Sequence, residues 1–409
     1  MLTTIQKLPP LSAALINSTF IQGFELDDWH SEAPLHSNSI IIPSLFAAIP
    51  ALTKHSSTPV SGSSFLLSYL TGLEVGPRVG NALHGASILT CGWHSGAVFG
   101  PSASGAAVAK LFGLNAAQIE DTLGIACTQA CGLMSAQFES EVKRMQHGFA
   151  ARNGLFAALL AKGGYVGIKK VYEREYGGFL DMFSKGNGQS QQYLIDELTK
   201  NMGSDWKTSK VRVKPYAAMA ATHGVVDCVR KLQEVYAEDM KDLEGIESVK
   251  LTMGEVAFHH GGFDITPPIT SVGAQMSSKY VAATQMIDRE VMPSEFRHDM
   301  LERDEVWRLV GKISCVQTEG EGKEDKWKTI AEVSWMDGRK AKEEVIAARG
   351  VNPELSNEEI VEKWRAITMD VIDDERREKI EKTCLGIEEL DDVMALGDLL
   401  AGITKNPIA

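Results

Sequence analysis

Between Leu11 and about Gly164 the chain carries helical periodicity in a background of Ala, Gly, Ser and Leu, with almost no alternation of apolar and polar residues. Such a half can bury its apolar stripes only by stacking helix on helix, which predicts an all-helical domain over residues 1–205. Many small residues between Gly76 and Gly113 let helices approach closely, and would equally let backbone come near a ligand. Beyond Trp206 the character changes. Short β-rich segments at 211–214, 248–253, 313–317 and 329–335 alternate with helical stretches and predict a smaller α+β domain over residues 206–356. The charged stretch 319–328 reads as a solvated hairpin connection. From Asn357 helical spacing returns, with Ile360, Trp364 and Ile367 on one face, so residues 357–409 are expected to pack back on the helical domain. The fold class is therefore mainly α.

Two helices can be placed in detail. Asn115 with Gln118 three residues on forms a capping-box start, and Ile119, Leu123, Cys127, Ala130 and Met134 recur on one face, a stripe that makes Cys127 and Cys131 core residues. A second helix over 141–160 puts Val142, Met145, Phe149, Phe156 and Leu160 on its apolar side and ends at Gly163-Gly164.

The 409 residues, 44% hydrophobic and 23% charged, suit a globular protein of two cores. A formal net charge of −13 argues against a nucleic-acid partner, because phosphate binding needs a basic surface. The apolar run 40–52 is short and broken by Pro43 and Pro50, so no membrane span is expected. Six cysteines without Cys-x-x-Cys spacing suggest reduced thiols, and the expected location is cytoplasmic. No phosphate loop or dinucleotide glycine fingerprint is present; Lys185-Gly186-Asn187-Gly188 has neither the spacing nor the context.

Three clusters can carry chemistry. In the first, a helix built on Ile16, Phe20 and Phe24 runs into Glu25, Asp27, Asp28 and His30, then Pro34 and His36. Acids at a helix C-terminus oppose the macrodipole, which favours a functional role for them. Glu25 and Asp28, three apart, would share a helix face and orient an imidazole, with Asp27 pointing elsewhere and His36 as proton donor. The second cluster is His94, between small residues and beside Trp93; a lone histidine there is more often a hydrogen-bonded core residue. In the third, Lys143, Arg144 and His147 fall in one arc of a helix opposite its apolar stripe, either a solvated basic face or a binding surface for several carboxylates. His259 and His260 would point to opposite faces of a strand, and His223 reads as a capping or packing residue.

These clusters resemble, in this order, the MmgE/PrpD family. The resemblance is carried by residues 20–37 (FIQGFELDDWHSEAPLHS), 92–100 (GWHSGAVFG), 124–148 (GIACTQACGLMSAQFESEVKRMQHG) and 176–187 (YGGFLDMFSKGN). It implies a helical domain with an α+β lid, a homodimer, and a lyase that needs no cofactor or metal. Its active-site acids then fall on residues 25–28, its histidines on His36 and His94, its lysine on Lys143, and its lid tyrosine on Tyr280. Catalysis is expected of His36, His94, Lys143, Tyr280 and Asp28, and substrate binding of Glu25, Asp27, Arg144, His147 and Lys214. Glu25 stands where many members have Asp, Met219 where relatives often have Cys or His, and a helical segment usual in the family ahead of Leu11 is not in this sequence.

The form Ser-Glu-Ala-Pro-Leu-His at 31–36 resembles the members that decarboxylate cis-aconitate to itaconate. In that reading Lys143, Arg144 and Tyr280 stabilise a carbanion and His36, or else His94, protonates it. The alternatives are hydration or dehydration of 2-methylcitrate or a similar small tricarboxylate, a metal-dependent hydrolase built on Asp27, Asp28, His30 and His36, and an inactive relative that only binds a partner.

Overall fold

A computed structural model describes residues 7–53, 58–318 and 327–406. The chain is mainly helical, as expected. Its first half contains α1 (Pro10–Gln22), α2 (Ser37–Thr53), α3 (Gly62–Ala82), α4 (Ser87–Thr90), α5 (Ser95–Leu111), α6 (Ala116–Cys127), α7 (Val142–Lys162) and α8 (Phe179–Ser184). The predicted closeness of small residues centres on α5, where every residue from Ser95 to Ala109 is buried and α2, α3, α6 and α7 pack around it. One glycine sets the site's geometry: a Cβ at Gly148 would lie 2.4 Å from the Leu15 carbonyl and 2.6 Å from Thr19 Oγ1, so only glycine lets α1 lie this close along α7.

The capping box at Asn115 forms, with Gln118 N–H donating to Asn115 Oδ1 at 3.0 Å. The helix stops at Cys127, however, and Cys131 beyond it is exposed rather than in the core. A larger difference concerns α7. Its expected apolar side is the outer one, with Val142 and Phe156 each 40% exposed, while Lys143, Arg144, His147 and a run of Ala and Gly face inward. Close packing on α5 requires small residues there, and the inward charges are held by ion pairs.

One short strand appears where helix was expected, and it pairs with a segment read as β-rich. β1 (Asp28–His30) pairs antiparallel with β2 (Val211–Val213), placing Asp28 opposite Val213 and stitching the two halves together. The second half holds β3 (Ile246–Met253), β4 (Ile313–Gln317), β5 (Thr329–Trp335) and β6 (Lys340–Val345) in the order β4-β3-β5-β6. Only β3 and β4 run parallel. In β5, Thr329, Ala331, Val333 and Trp335 are buried in strict alternation, the period-two signature of a sheet covered on one face. Since β3 lies between β4 and β5, their connection is not a hairpin; residues 319–326 of it lie outside the described residues.

Around this sheet stand α9 (His223–Val235), α10 (Glu255–Gly261), α11 (Ser271–Met276), α12 (Ser278–Asp288) and α13 (Asp304–Val310). The tail forms α14 (Asn357–Thr368), α15 (Asp374–Leu385) and α16 (Met394–Leu400). It meets the start of α3 through Gly62 N–H to the Leu390 carbonyl at 2.8 Å and Val393 N–H to the Val60 carbonyl at 2.8 Å. Among the described residues, no helix is long and apolar enough to cross a membrane.

Candidate active site

Where α1 ends, the chain turns at Glu25 with φ of 54°, a left-handed backbone that costs a bulky residue roughly 1–3 kcal/mol. The strain coincides with a concentration of charge. Glu25, 1% exposed, accepts hydrogen bonds from Lys143, Arg144 and Lys214, and from Gln22 Nε2 at 2.6 Å. Burial pushes its carboxyl up, but Lys143, Lys214 and Arg144 together pull it well below the ordinary carboxylate range. Lys143 and Arg144 lie in the first turn of α7, where the helix dipole disfavours cations, so their position depends on this buried anion. Burial brings the Lys143 ammonium down to about 8, with Glu25 acting against it. Gln275 of α11 ties the cluster to the second half, accepting from Arg144 at 2.6 Å and donating to the Phe24 and Ala217 carbonyls at 3.0 and 2.9 Å.

The acids that follow are in extended chain, where neighbours point to opposite sides. For this reason the partner of His36 is Asp27, with Nδ1 to Oδ2 at 2.9 Å, and not the expected Glu25–Asp28 pair. Asp27 is also 3.5 Å from Lys214 Nζ. Burial raises the Asp27 carboxyl, yet His36 and Lys214 leave it lowered overall. Asp28 instead closes the N-terminus of α2, accepting from the Ser37 and Asn38 amides at 3.1 and 2.9 Å. Burial, with the Asp27 charge beside it, pushes Asp28 up to about 7.

Three imidazoles stand in a row, with His147 centred 4.8 Å from His36 and 5.0 Å from His94. Each has a defined tautomer. His94 Nδ1 accepts from the Ala97 amide at 3.3 Å as the N-cap of α5, so its proton sits on Nε2. The Ser39 hydroxyl donates to the His36 carbonyl at 3.0 Å, so His147 Nδ1–H donates to Ser39 Oγ at 2.9 Å and leaves its buried Nε2 without a partner. His36 gives its Nδ1 proton to Asp27 and keeps Nε2 for a ligand. Gly96 makes the row possible, since a Cβ there would lie 2.8 Å from His147 Nε2. Burial lowers all three imidazoles, His94 to about 3 and His147 well below its ordinary value; Asp27 opposes the shift at His36.

These groups border a cavity of about 120 Å³. Glu25, His36, His94, Lys143 and Lys214 are among its lining residues, a floor contributed by both halves of the chain. A second part of the lining, the apolar wall, comes from Met219, Ala221, Val256, Ala257 and Met276, with His260 of α10 among them. Of the expected site residues, Asp27, Asp28, Arg144 and His147 stand behind the floor. Tyr280 does not reach it. The ring is wholly buried among Phe296 and Trp307, its hydroxyl donates to the Met300 carbonyl at 3.1 Å, and burial pushes it up to about 12. An aromatic in the middle of a buried helix face fills the core there.

The four residues considered for a hydrolytic metal site are not brought together. His30 Nε2–H donates to the Lys207 carbonyl at 3.0 Å and its Nδ1 accepts from the Ala33 amide at 3.0 Å, which fixes the turn after β1. Asp27, His36 and His147 do offer ligand atoms within 4.8 Å of one another, but beside Lys214 and Lys143 a divalent cation meets repulsion.

Two residues carry more weight in the structure than in the sequence. His260 sits in a helix, not a strand, and the spacing of Val256 and His260, four apart, places both on one face. Lys363 of α14 donates to the Leu26 and Lys214 carbonyls, the latter at 2.8 Å, bracing the segments that carry Asp27 and Lys214; its distance along the chain gave no signal.

Known proteins were compared with the chain. The family model described as the MmgE/PrpD N-terminal domain matches residues 1–192, and that of the MmgE/PrpD C-terminal domain matches residues 216–387. A cis-aconitate decarboxylase-like protein of Aspergillus oryzae is 44% identical over 401 residues, covering 96% of this chain and 83% of that protein. The cis-aconitate decarboxylase of Aspergillus terreus is 43% identical, covering 98% and 84%, and that of Homo sapiens 26% identical, covering 98% and 82%.

Proposed function

The chain belongs to the MmgE/PrpD family, and from that premise we propose that it is a carboxy-lyase that converts cis-aconitate to itaconate and CO₂ without a cofactor. The observation that carries this reading is the convergence of His36, His94, Lys143 and Lys214, from distant parts of the sequence, on one small cavity. The names of the relatives at 43–44% identity support the choice of reaction.

In the proposed step the bond between the methylene carbon and its carboxylate breaks and CO₂ leaves. Its electron pair spreads over the allyl system and onto the carboxylate of the former vinyl carbon. A proton then adds at that vinyl carbon, leaving a terminal methylene. Catalysis requires that the spreading charge be held better than the substrate is. Lys143 and Lys214, fixed in advance by Glu25, are suited to it because they need not reorganise as the charge moves.

His36 is the proposed acid. Burial lowers its proton affinity, and a trianion on the floor opposes that effect and favours imidazolium. Asp27 stabilises that imidazolium and keeps its proton on Nδ1, so the transferable one is on Nε2. His94, lacking a carboxylate partner among the described residues, is the weaker candidate and is assigned a donor role to a substrate oxygen through Nε2–H.

Proton NMR of the purified protein with cis-aconitate tests the reaction. Terminal methylene signals of itaconate should appear with stoichiometric CO₂, and His36→Ala should stop turnover while keeping a cooperative melt. A hydrated product would move the reading to the dehydratase side of the family; undiminished activity in the variant would remove His36 from the mechanism.

A further inference from the structure

The two walls of the cavity differ in what they can offer an anion. Lysines and imidazoles crowd the floor, whereas the apolar wall is built from methionine, alanine and valine side chains and includes one imidazole, His260. That residue is 7% exposed, and its Nε2 is buried without a hydrogen-bond partner. Buried polar atoms in folded proteins almost always have a partner, so an orphan on a cavity wall points to a missing ligand atom. The neighbouring backbone holds the ring in place: a Cβ at Gly261 would lie 2.9 Å from both Met219 Cε and Ser278 Oγ, so the end of α10 is pressed into its surroundings.

The substrate chemistry proposed above supplies the atom. The three carboxylates of a branched six-carbon acid diverge from one another, so those held by Lys143 and Lys214 leave another for the rest of the lining. We propose that His260 is the tricarboxylate-selecting residue, its imidazole donating to the carboxylate that faces α10 while the floor holds the other end. The inference rests on the tricarboxylate reading of this cavity and adds a specificity determinant to it. A dicarboxylate satisfied by the floor alone gains nothing from His260.

The test pairs tricarballylate, a saturated tricarboxylate, with glutarate, which has the same carbon chain without the central carboxylate. Both are measured by calorimetry, and tricarballylate also as an inhibitor of turnover, in the wild type and in His260→Leu, His260→Gln and His260→Asn. The Leu variant is expected to weaken tricarballylate about tenfold, equivalent to ~1.4 kcal/mol, and to raise KM for cis-aconitate by a similar factor with kcat nearly unchanged. Glutarate affinity should stay the same. One of the two amides, whichever places its nitrogen where the ring donor was, should restore tricarballylate binding, and this arm holds even if the Leu variant folds poorly. Equal weakening of both acids, or no weakening of either, overturns the proposal. If the wild type makes no itaconate but His260→Leu still separates the two acids, the functional reading fails and the selectivity of His260 stands. If the wild type binds neither acid, both fall.

Discussion

The floor and the apolar wall line the same cavity by opposite means. On the floor, ions are removed from water and held by one another, an arrangement in which each member depends on all the rest. The apolar wall is ordinary packing, where a change of shape is absorbed locally. Function that needs fixed charge is thus placed where substitution is most disruptive, and tolerance is found in another part of the same lining.

The sharpest way to break this contrast is Glu25→Ala. It strips Lys143, Lys214 and Arg144 of their common anion and should cost about 3–5 kcal/mol in urea unfolding, the usual cost of breaking a buried pair. A loss too small to measure would mean that the floor is hydrated and the contrast false. Next comes Lys143→Met, which leaves Glu25 two cations and should spare the melt while lowering kcat about 10²- to 10³-fold, as removal of one preorganised donor does.

A pH series sharpens the picture. The His94 imidazole falls from 6.5 when unfolded to about 3 in the fold, so the unfolded chain binds more protons between those values. The associated stability is present above pH 6.5 and drains away as pH falls toward 3. His94→Asn keeps a cap on α5 but removes the titrating ring. Its urea midpoint should fall less than that of the wild type between pH 7 and pH 4.5, with the other buried imidazoles, His30, His36, His147, His223 and His260, contributing to the slope that remains. The smallest effect belongs to the apolar wall, where Met276→Leu should change stability by less than about 1.5 kcal/mol and leave kcat nearly intact.

The helical character of the first half was legible because period 3.6 and small residues repeat over many turns, and β2, β3, β4 and β5 lie at segments read as β-rich. The acids after α1 were misplaced for a local reason. Helical spacing predicts a shared face for Glu25 and Asp28, but α1 stops at Gln22, and the left-handed turn at Glu25 leads into β1 and exchanges the roles of Asp27 and Asp28. The inward face of α7 was misjudged because apolar content usually marks the buried side, and here the interior takes Ala, Gly and paired ions instead. Tyr280 came from resemblance alone, and its surroundings of Phe296 and Trp307 come from remote segments that no local pattern could reveal.

The ribbon of β1 against β2 has a mechanical corollary. Asp28 and Val213 are neighbours across it, so Asp27 and Lys214, one residue further along, are carried on the same two strands. Any swing that parts the halves to admit a solute must either pivot about this ribbon or pull Lys214 from Glu25. Opening by the second route would disarm the electrostatic machinery, and closing would rearm it, so that access and competence could not vary independently.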